Sequence, residues 1–212
     1  MDRIETFIKE NGDMSLVNAA RYGRLDIVKY LIEEKKVHYI QAALKWAAAG
    51  GHLDVVKYLI SKGADVCSEK DNITLKWAIY EGKTEIVDYL IKQGADVITE
   101  GDHLLADAAA LEKTEILELL LKHTTDPKSK NRALYEAALN NKREAVKILL
   151  KHGADAKNID YKALINSIHT DIIYLLWSQL PHEDILPFLV SDDRRIREMA
   201  ETYLLIRGAI SL

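Results

Sequence analysis

Histidine is the side chain of this sequence with the widest chemical range, because it binds metals and transfers protons near neutral pH. No two histidines are four residues apart, and none clusters with cysteine as a zinc site requires. His52 lies in a predicted turn, where a hydrogen bond to the backbone is the favoured role. We therefore predict no metal site and no catalytic histidine. The seven histidines are His38, His52, His103, His123, His152, His169 and His182.

The other reactive groups also favour structural roles. Cys67 is the single cysteine, and no neighbouring motif would generate a thiolate there. Apart from the Gly50-Gly51 pair the glycines are isolated, and they follow predicted helices instead of strands, so they form no phosphate-binding loop. Asp65, Asp96 and Asp155 each follow Gly-Ala, where an aspartate accepts hydrogen bonds from backbone amides. These residues predict a protein that is not an enzyme, with no cofactor and no catalytic residues.

Composition narrows the class of protein further. Of the 212 residues, 48% are hydrophobic and 29% are charged, which is ordinary for a folded globular protein. The net charge of -4 provides no overall field that would attract nucleic acid or an anionic membrane. The N-terminal sequence lacks the apolar run of a signal peptide, and no later window is long enough to span a membrane. With one cysteine and no internal disulfide, a cytoplasmic location is expected.

These side chains are carried by a repeated unit of about 30 residues. The stretch Gly51–Val66 (GHLDVVKYLISKGADV) is echoed by Gly23–Leu31 (GRLDIVKYL) and by Gly82–Val97 (GKTEIVDYLIKQGADV). Such internal copies predict stacked supersecondary units, each shielding the apolar side of the next. A leucine opens the first helix of each copy, with 28 to 31 residues between successive leucines: Leu16, Leu44, Leu75, Leu105, Leu134 and Leu164.

Each copy predicts two helices joined by a tight turn. The first helix is rich in alanine, which permits close packing between neighbours. The turn contains glycine with positive φ in the first three copies, whereas Glu112 and Asn141 replace it later, and Glu112 suggests a local departure. The second helix begins with an acidic residue and has apolar residues at i, i+1 and i+4, and glycines terminate it. The three clearest stripes are Ile27, Val28 and Leu31, then Val55, Val56 and Leu59, then Ile86, Val87 and Leu90.

This pattern resembles the ankyrin repeat, a family with an all-α, solenoid fold built from helix-turn-helix repeats. The first helices depart from the Thr-Pro-Leu-His opening that is typical of the family, since Ala42-Ala43-Leu44-Lys45 stands at that place. The hydrogen bonds that this opening supplies must be absent or replaced. The segments between repeats are also short, which is similar to ankyrin repeats of giant DNA viruses. That resemblance would imply a host-interaction protein of the host cytoplasm.

The two ends differ from the repeats. We predict an array over 1–177, with a capping helix at 1–12, repeats starting near 15, 43, 74, 104 and 133, and a degenerate sixth near 163. A C-terminal helical cap over 178–212 resembles a HEAT-type helical pair. Ile185, Leu186, Leu189 and Val190 would form the stripe of its first helix. The face of its second helix would contain Ile196, Met199, Ala200, Tyr203 and Leu204.

The resemblance implies that the ends of the first helices line a concave face that binds another protein. Apolar residues there, above all Tyr80 and Leu111, are candidate anchors for the partner. Trp46 and Trp77 favour packing between repeats over binding, and Tyr30, Tyr58 and Tyr89 favour stacking along the back. The predicted partner-binding residues are Arg21, Tyr22, Tyr80, Glu81, Leu111, Leu139 and Asn140.

Two functions remain open at this stage. The first is a monomeric, non-enzymatic module that binds a protein partner, with no nucleic acid or membrane partner. The alternative is a substrate adaptor of a ubiquitin ligase, because Leu180–Leu186 (LPHEDIL) is similar to the opening of an F-box. Neither hypothesis identifies the partner.

Overall fold

The computed structural model describes residues 2–67, 72–97, 101–166 and 169–210. Within these ranges the chain consists of α-helices, short 3₁₀ helices and turns, so the all-α prediction is confirmed. Packing divides the chain into two compact units, Met1–Leu104 and Leu105–Leu212. The predicted boundary after residue 177 falls inside the second unit and stays a prediction. The segments 68–71 and 98–100, where short inter-repeat connections were predicted, lie outside the described residues.

The first unit contains three helix pairs preceded by one helix. The pairs are α2 with α3, α4 with α5, and α6 with α7, and first helices pack against first helices (α2 on α4, α4 on α6). The leading helix α1 packs on α2 and places Ile4, Phe7 and Ile8 in half-buried positions. The bounds are α1 Asp2–Asn11, α2 Ser15–Arg21, α3 Leu25–Glu33, α4 Ile40–Gly50, α5 Leu53–Ser61, α6 Ile73–Tyr80 and α7 Thr84–Lys92.

The second unit continues with further helix pairs and ends in a longer single helix. The final helix α15 follows a short helix and a 3₁₀ turn at Leu186–Val190. The turn expected between the halves of the degenerate sixth repeat includes residues 167–168, which lie outside the described residues. The bounds are α8 Gly101–Ala110, α9 Thr114–Leu121, α10 Pro127–Leu139, α11 Arg143–Lys151, α12 Tyr161–Asn166, α13 Thr170–Trp177, α14 His182–Ile185 and α15 Arg194–Ile206. The first residues of α8 belong to the first unit.

The core consists of the residues that the repeat pattern selects. All six repeat leucines are buried, and so are the three apolar stripes of the second helices, which confirms both predictions. Ala47, Ala78, Ala108 and Ala137 have no exposed surface, as close packing of the first helices requires. Each unit therefore buries the apolar side of its helices against its own neighbouring repeats.

The turns between paired helices share one backbone conformation. Gly23, Gly51 and Gly82 have positive φ, as predicted. The expectation that Glu112 marks a local departure is wrong, because Glu112 has φ 53° and Asn141 has φ 57° in the same turn. Glu112 Oε1 also accepts a hydrogen bond of 3.3 Å from the Glu144 amide at the start of α11. That contact satisfies an amide without an intrahelical partner and helps to offset the strain of a left-handed residue.

Side-chain amides replace the missing Thr-Pro-Leu-His network. Gln41, Asn72 and Asn131 each lie three residues before a repeat leucine, and each bonds to the backbone of an aspartate 24 residues later. Gln41 makes two such bonds with Asp65, of 2.7 and 3.1 Å. The amide thus connects the start of a repeat to its Gly-Ala-Asp segment. The sequence left open whether this network is absent or replaced, and the structure shows that it is replaced.

Of these three side-chain amides, Asn72 is the one whose replacement should destabilise the protein most, because it is buried and also has φ 47°. Asn72→Ala removes the 2.5 Å bond from Nδ2 to the Asp96 carbonyl and puts alanine in the left-handed region. We expect a loss of about 2 kcal/mol in the free energy of unfolding, measured by urea denaturation. Asn72→Gly separates the two causes, since glycine tolerates the backbone and lacks only the amide. Equal losses for both variants would contradict the contribution of the backbone.

The C-terminal segment differs from its prediction in one helix. The face of the second helix is confirmed at Ile196, Ala200, Tyr203 and Leu204 of α15, which are buried, whereas Met199 is half-buried. The first stripe is wrong: Ile185 is buried, but Leu186 and Val190 are 45% and 82% exposed. Pro187 provides the reason, because it cannot donate a backbone hydrogen bond, and the chain forms a 3₁₀ turn at Leu186–Val190. The HEAT-type resemblance stays a prediction.

Candidate partner-binding faces

A row of aromatic side chains runs across the first helices of the first unit. Trp46 of α4 and Trp77 of α6 lie side by side, with ring centroids 5.8 Å apart and planes inclined by 33°. Tyr80, one turn later on α6, meets Trp77 edge-on at 5.9 Å and is 58% exposed. Both tryptophans are only half-buried. The two indoles pack against each other between neighbouring repeats, as favoured from the sequence, but they lie at the edge of the core, because the alanines of these helices occupy its centre.

Two cations lie on this aromatic row. The Arg21 guanidinium is 4.9 Å from the Trp46 ring centroid and the Lys45 ammonium is 5.3 Å from it, both within cation–π range. The Arg21 carbonyl also accepts a hydrogen bond of 2.9 Å from His52 Nε2. Arg21 is thus held through both its backbone and its side chain. We call Arg21, Lys45, Trp46, Trp77 and Tyr80 the aromatic face.

The neighbouring predicted residues are accessible as well. Tyr22 follows Arg21, and Glu81 follows Tyr80, and both side chains are exposed. In the second unit Leu111 follows α8 and is 37% exposed, while Leu139 and Asn140 at the end of α10 are also exposed. The predicted set is therefore divided, with four residues in the first unit and three in the second.

The back of the first unit is organised by lysine and tyrosine. Tyr58 lies beneath the ammonium of Lys29, at 5.6 Å, and Tyr89 lies beneath that of Lys57, at 5.5 Å. The Lys62 ammonium lies 2.9 Å from Glu33 Oε1, and the Tyr58 hydroxyl donates a hydrogen bond of 2.9 Å to the same oxygen. Lys62 first, and Tyr58 second, lower the pKa of the Glu33 carboxyl. A structural role for these tyrosines fits this arrangement, but the contacts between repeats run through lysine instead of ring stacking.

A buried aromatic cluster in the second unit was missed by sequence reasoning. Trp177 of α13 is fully buried, and the rings of Tyr161, Tyr174, Phe188 and Tyr203 have centroids 5.4 to 6.0 Å from it. Tyr161 donates its hydroxyl to the Ala156 carbonyl at 2.8 Å, and burial raises the pKa of that hydroxyl. The signal was the concentration of aromatic residues around the degenerate repeat, which the repeat pattern does not require.

The candidate chemical groups have structural contacts. His52 bonds to a carbonyl at the end of α2, as predicted for a turn histidine. Asp65 and Asp155 accept hydrogen bonds of 2.8 Å from backbone amides two residues later, which confirms their predicted role. The exposed Cys67 thiol lies 3.1 Å from the Gly94 carbonyl. Among the described residues, no group of three or more His, Cys, Asp or Glu side chains is arranged to hold a metal ion.

Comparison with known proteins agrees with this geometry. A family model described as ankyrin repeats matches residues 3–70, 75–163 and 105–193. Among solved structures, the ankyrin repeat domain of human ASB11 superimposes with a TM-score of 0.69 at 22% sequence identity. The match covers 89% of this chain and 96% of that domain. No curated protein matches the sequence significantly.

The stacked helix pairs with exposed first-helix ends define a helical repeat protein of the interaction class. The chain belongs to the ankyrin repeat family. Ankyrin repeats indicate a protein-protein interaction module with protein partners, and the family is generally a non-catalytic fold. In the described part of the chain, each helix is too short or too polar to cross a membrane.

Proposed function

We propose that this protein is a non-enzymatic interaction module that binds a protein partner through the exposed ends of its first helices. In the first unit the binding residues are Arg21, Tyr22, Tyr80 and Glu81, extended by Trp46 and Trp77. In the second unit they are Leu111, Leu139 and Asn140. Each unit contributes its own part, and the proposal requires no particular arrangement of the two units.

One observation carries this proposal. Large apolar side chains are exposed in four repeats at one of two adjacent positions, five or six residues after the repeat leucine. Solvent favours polar residues at such positions, and aromatic side chains there supply a large contact area at a low cost in conformational entropy. Tyr80 and Leu139 lie five residues after the repeat leucine, and Tyr22 and Leu111 lie six residues after it. We further propose that the protein acts in the cytoplasm, since its single cysteine requires no oxidising compartment. We also propose that it acts as a monomer.

The test replaces two anchors, one in each unit. Tyr80→Ala with Leu111→Ala should reduce recovery of a specific partner about tenfold or more, as expected for anchor residues, and leave the melting temperature within about 2 °C. The measurement is quantitative mass spectrometry of proteins that co-purify with the tagged chain from its native host, together with thermal melting by circular dichroism.

The matched control is Tyr39→Ala. Tyr39 is as exposed as Tyr80, but it lies at the opposite end of a first helix. Its replacement should leave recovery of the partner unchanged. If the Tyr80 and Leu111 variant keeps its partner and loses stability, those residues belong to the core and the proposal fails. Equal losses for the control variant would also contradict a specific face.

A second candidate is the adaptor of a ubiquitin ligase, acting through the C-terminal segment. The observation that favours it is the exposure of Leu186 and Val190 on the 3₁₀ turn that begins at the last residue of the F-box-like sequence. Purified chain should then capture the adaptor subunit of the ligase, and Leu186→Asp with Val190→Asp should abolish the capture. Point variants are preferable to truncation after residue 177, because truncation also removes Phe188 and Tyr203 from Trp177. Absence of capture by the unaltered chain ends this alternative.

A further inference from the structure

We propose that the aromatic face of the first unit binds an acidic peptide segment that carries an apolar anchor side chain. This inference rests on the proposed function and adds the chemistry of the partner. It concerns Arg21, Lys45, Trp46, Trp77 and Tyr80, and it assigns nothing to the second unit.

The charge of the face points to an acidic partner. Arg21 and Lys45 approach the same indole ring, so two positive charges are concentrated around Trp46. The chain as a whole has a net charge of -4, so the surroundings of Trp46 are a locally basic area on an acidic protein. The exposed Glu81 places a negative charge beside Tyr80, so the acidic residues of the partner are expected at Trp46. Complementary potentials direct the encounter and reject partners of the same charge. Aspartate and glutamate side chains are the protein groups that match such an area.

The ring geometry points to an apolar anchor beside the acidic residues. Trp46 and Trp77 are half-buried, so each has a surface that the protein itself does not cover. Tyr80 extends this surface from the edge of Trp77. An aliphatic or aromatic side chain laid on these rings would bury apolar area on both partners.

Arg21 is held in place before any partner arrives. Its guanidinium lies on Trp46, and its carbonyl is bonded to His52 of the next repeat. A charged side chain that is already ordered loses less conformational entropy on binding than a free one. The face therefore combines fixed charge with fixed rings, which suits a short segment that must itself become ordered.

Single-stranded nucleic acid is the competing occupant, because bases stack on aromatic rings and phosphates bind cations. The family favours the peptide, because ankyrin repeats indicate a protein-protein interaction module. Glu81, exposed beside Tyr80, would repel phosphate and carboxylate alike and does not separate the two occupants.

The experiment selects random linear peptides displayed on phage against the full-length chain. Enriched peptides should be rich in Asp and Glu around one Leu, Ile, Phe or Trp. Their affinity should fall about tenfold or more for Arg21→Glu with Lys45→Glu. It should also fall when the NaCl concentration is raised from about 0.05 M to about 0.5 M, because salt screens exposed charges. Arg21→Gln with Lys45→Gln should lose a smaller factor, and circular dichroism establishes that each variant is folded.

The matched control is Lys29→Glu with Lys57→Glu. These two lysines also lie over aromatic rings, but on the second helices, and the change in net charge is identical. The control should change peptide affinity less than about twofold, because its charges lie outside the face. A loss equal to that of the Arg21 and Lys45 variant would overturn the proposal, since the effect would then be one of net charge.

The remaining outcomes separate this inference from the proposed function. If the enriched peptides are neutral or basic but still require Trp46, Trp77 and Tyr80, the proposal of an acidic partner fails. The proposed function is then retained, because the same face binds the peptides. Peptides that bind equally after Trp46→Ala with Trp77→Ala and Tyr80→Ala overturn both. Absence of any enriched peptide overturns the acidic-segment proposal. If a single-stranded oligonucleotide binds the face more tightly than the selected peptides do, the peptide proposal is wrong and nucleic acid is the ligand of this face.

Discussion

Replacing Trp177 with alanine is expected to lower the free energy of unfolding by about 3–5 kcal/mol, the usual cost of removing a large buried aromatic side chain. Trp177 has no exposed surface and contacts four other aromatic rings from α12, α13, α15 and the 3₁₀ turn. The vacated volume cannot be filled by one neighbour, because the surrounding rings come from four separate elements. Urea denaturation followed by far-ultraviolet circular dichroism measures the loss.

Two further variants separate the contribution of ring burial to stability from any contribution of the indole N–H group. Trp46→Ala removes the same side chain from a half-exposed position and should cost much less. Trp177→Phe should retain most of the stability, because Trp177 Nε1 is buried without a hydrogen-bond partner in the described part of the chain. No hydrogen bond is lost in that change, and only the difference in ring size remains. Equal costs for Trp46→Ala and Trp177→Ala would refute the assignment of Trp177 as the centre of this core.

The repeated parts of the fold were predictable because each copy repeats the same physical requirement. Leu44 and Leu75 fill the space between first helices, and Gly51 and Gly82 adopt a backbone that glycine tolerates. When the same residue type recurs at the same position of several copies, its structural role can be inferred from the recurrence. Glu112 escaped this reasoning because its left-handed backbone is compensated by a contact with Glu144, which lies 32 residues away.

The surface residues were less predictable for a different reason. Helical periodicity shows that Trp46 and Trp77 share a side of their helices, but it does not show how far a large ring extends beyond the buried alanines. The exposure of Tyr80 and Leu111 was predictable because these residues follow the last core position of the first helix. Leu186 and Val190 were misassigned because the 3.6-residue period does not apply to the 3₁₀ turn that contains Pro187.

Gly50→Ala provides a contrast between local preference and packing. Gly50 is the last residue of α4 and, unlike Gly51, does not have positive φ, so helix propensity alone predicts that alanine would stabilise the protein by up to about 1 kcal/mol. The packing predicts the opposite. A Cβ atom at Gly50 would lie 2.6 Å from the Arg21 carbonyl oxygen and 2.7 Å from the His52 ring.

The destabilising effect of packing should exceed the gain in helix propensity, because the nearest atom belongs to the backbone of the neighbouring repeat and cannot rotate away. α2 and α4 must separate, and the hydrogen bond from His52 to Arg21 must be distorted or lost. We expect a net loss of about 1–3 kcal/mol, the usual cost of overpacking, measured as a shift in the midpoint of urea denaturation. Gly63→Ala is the control, since a Cβ there meets no atom within 4 Å and only the strain of φ 94° is added. A Gly50→Ala variant as stable as the unaltered chain would mean that these two repeats are not in backbone contact. The position of Arg21 on the aromatic face would then lose its structural support.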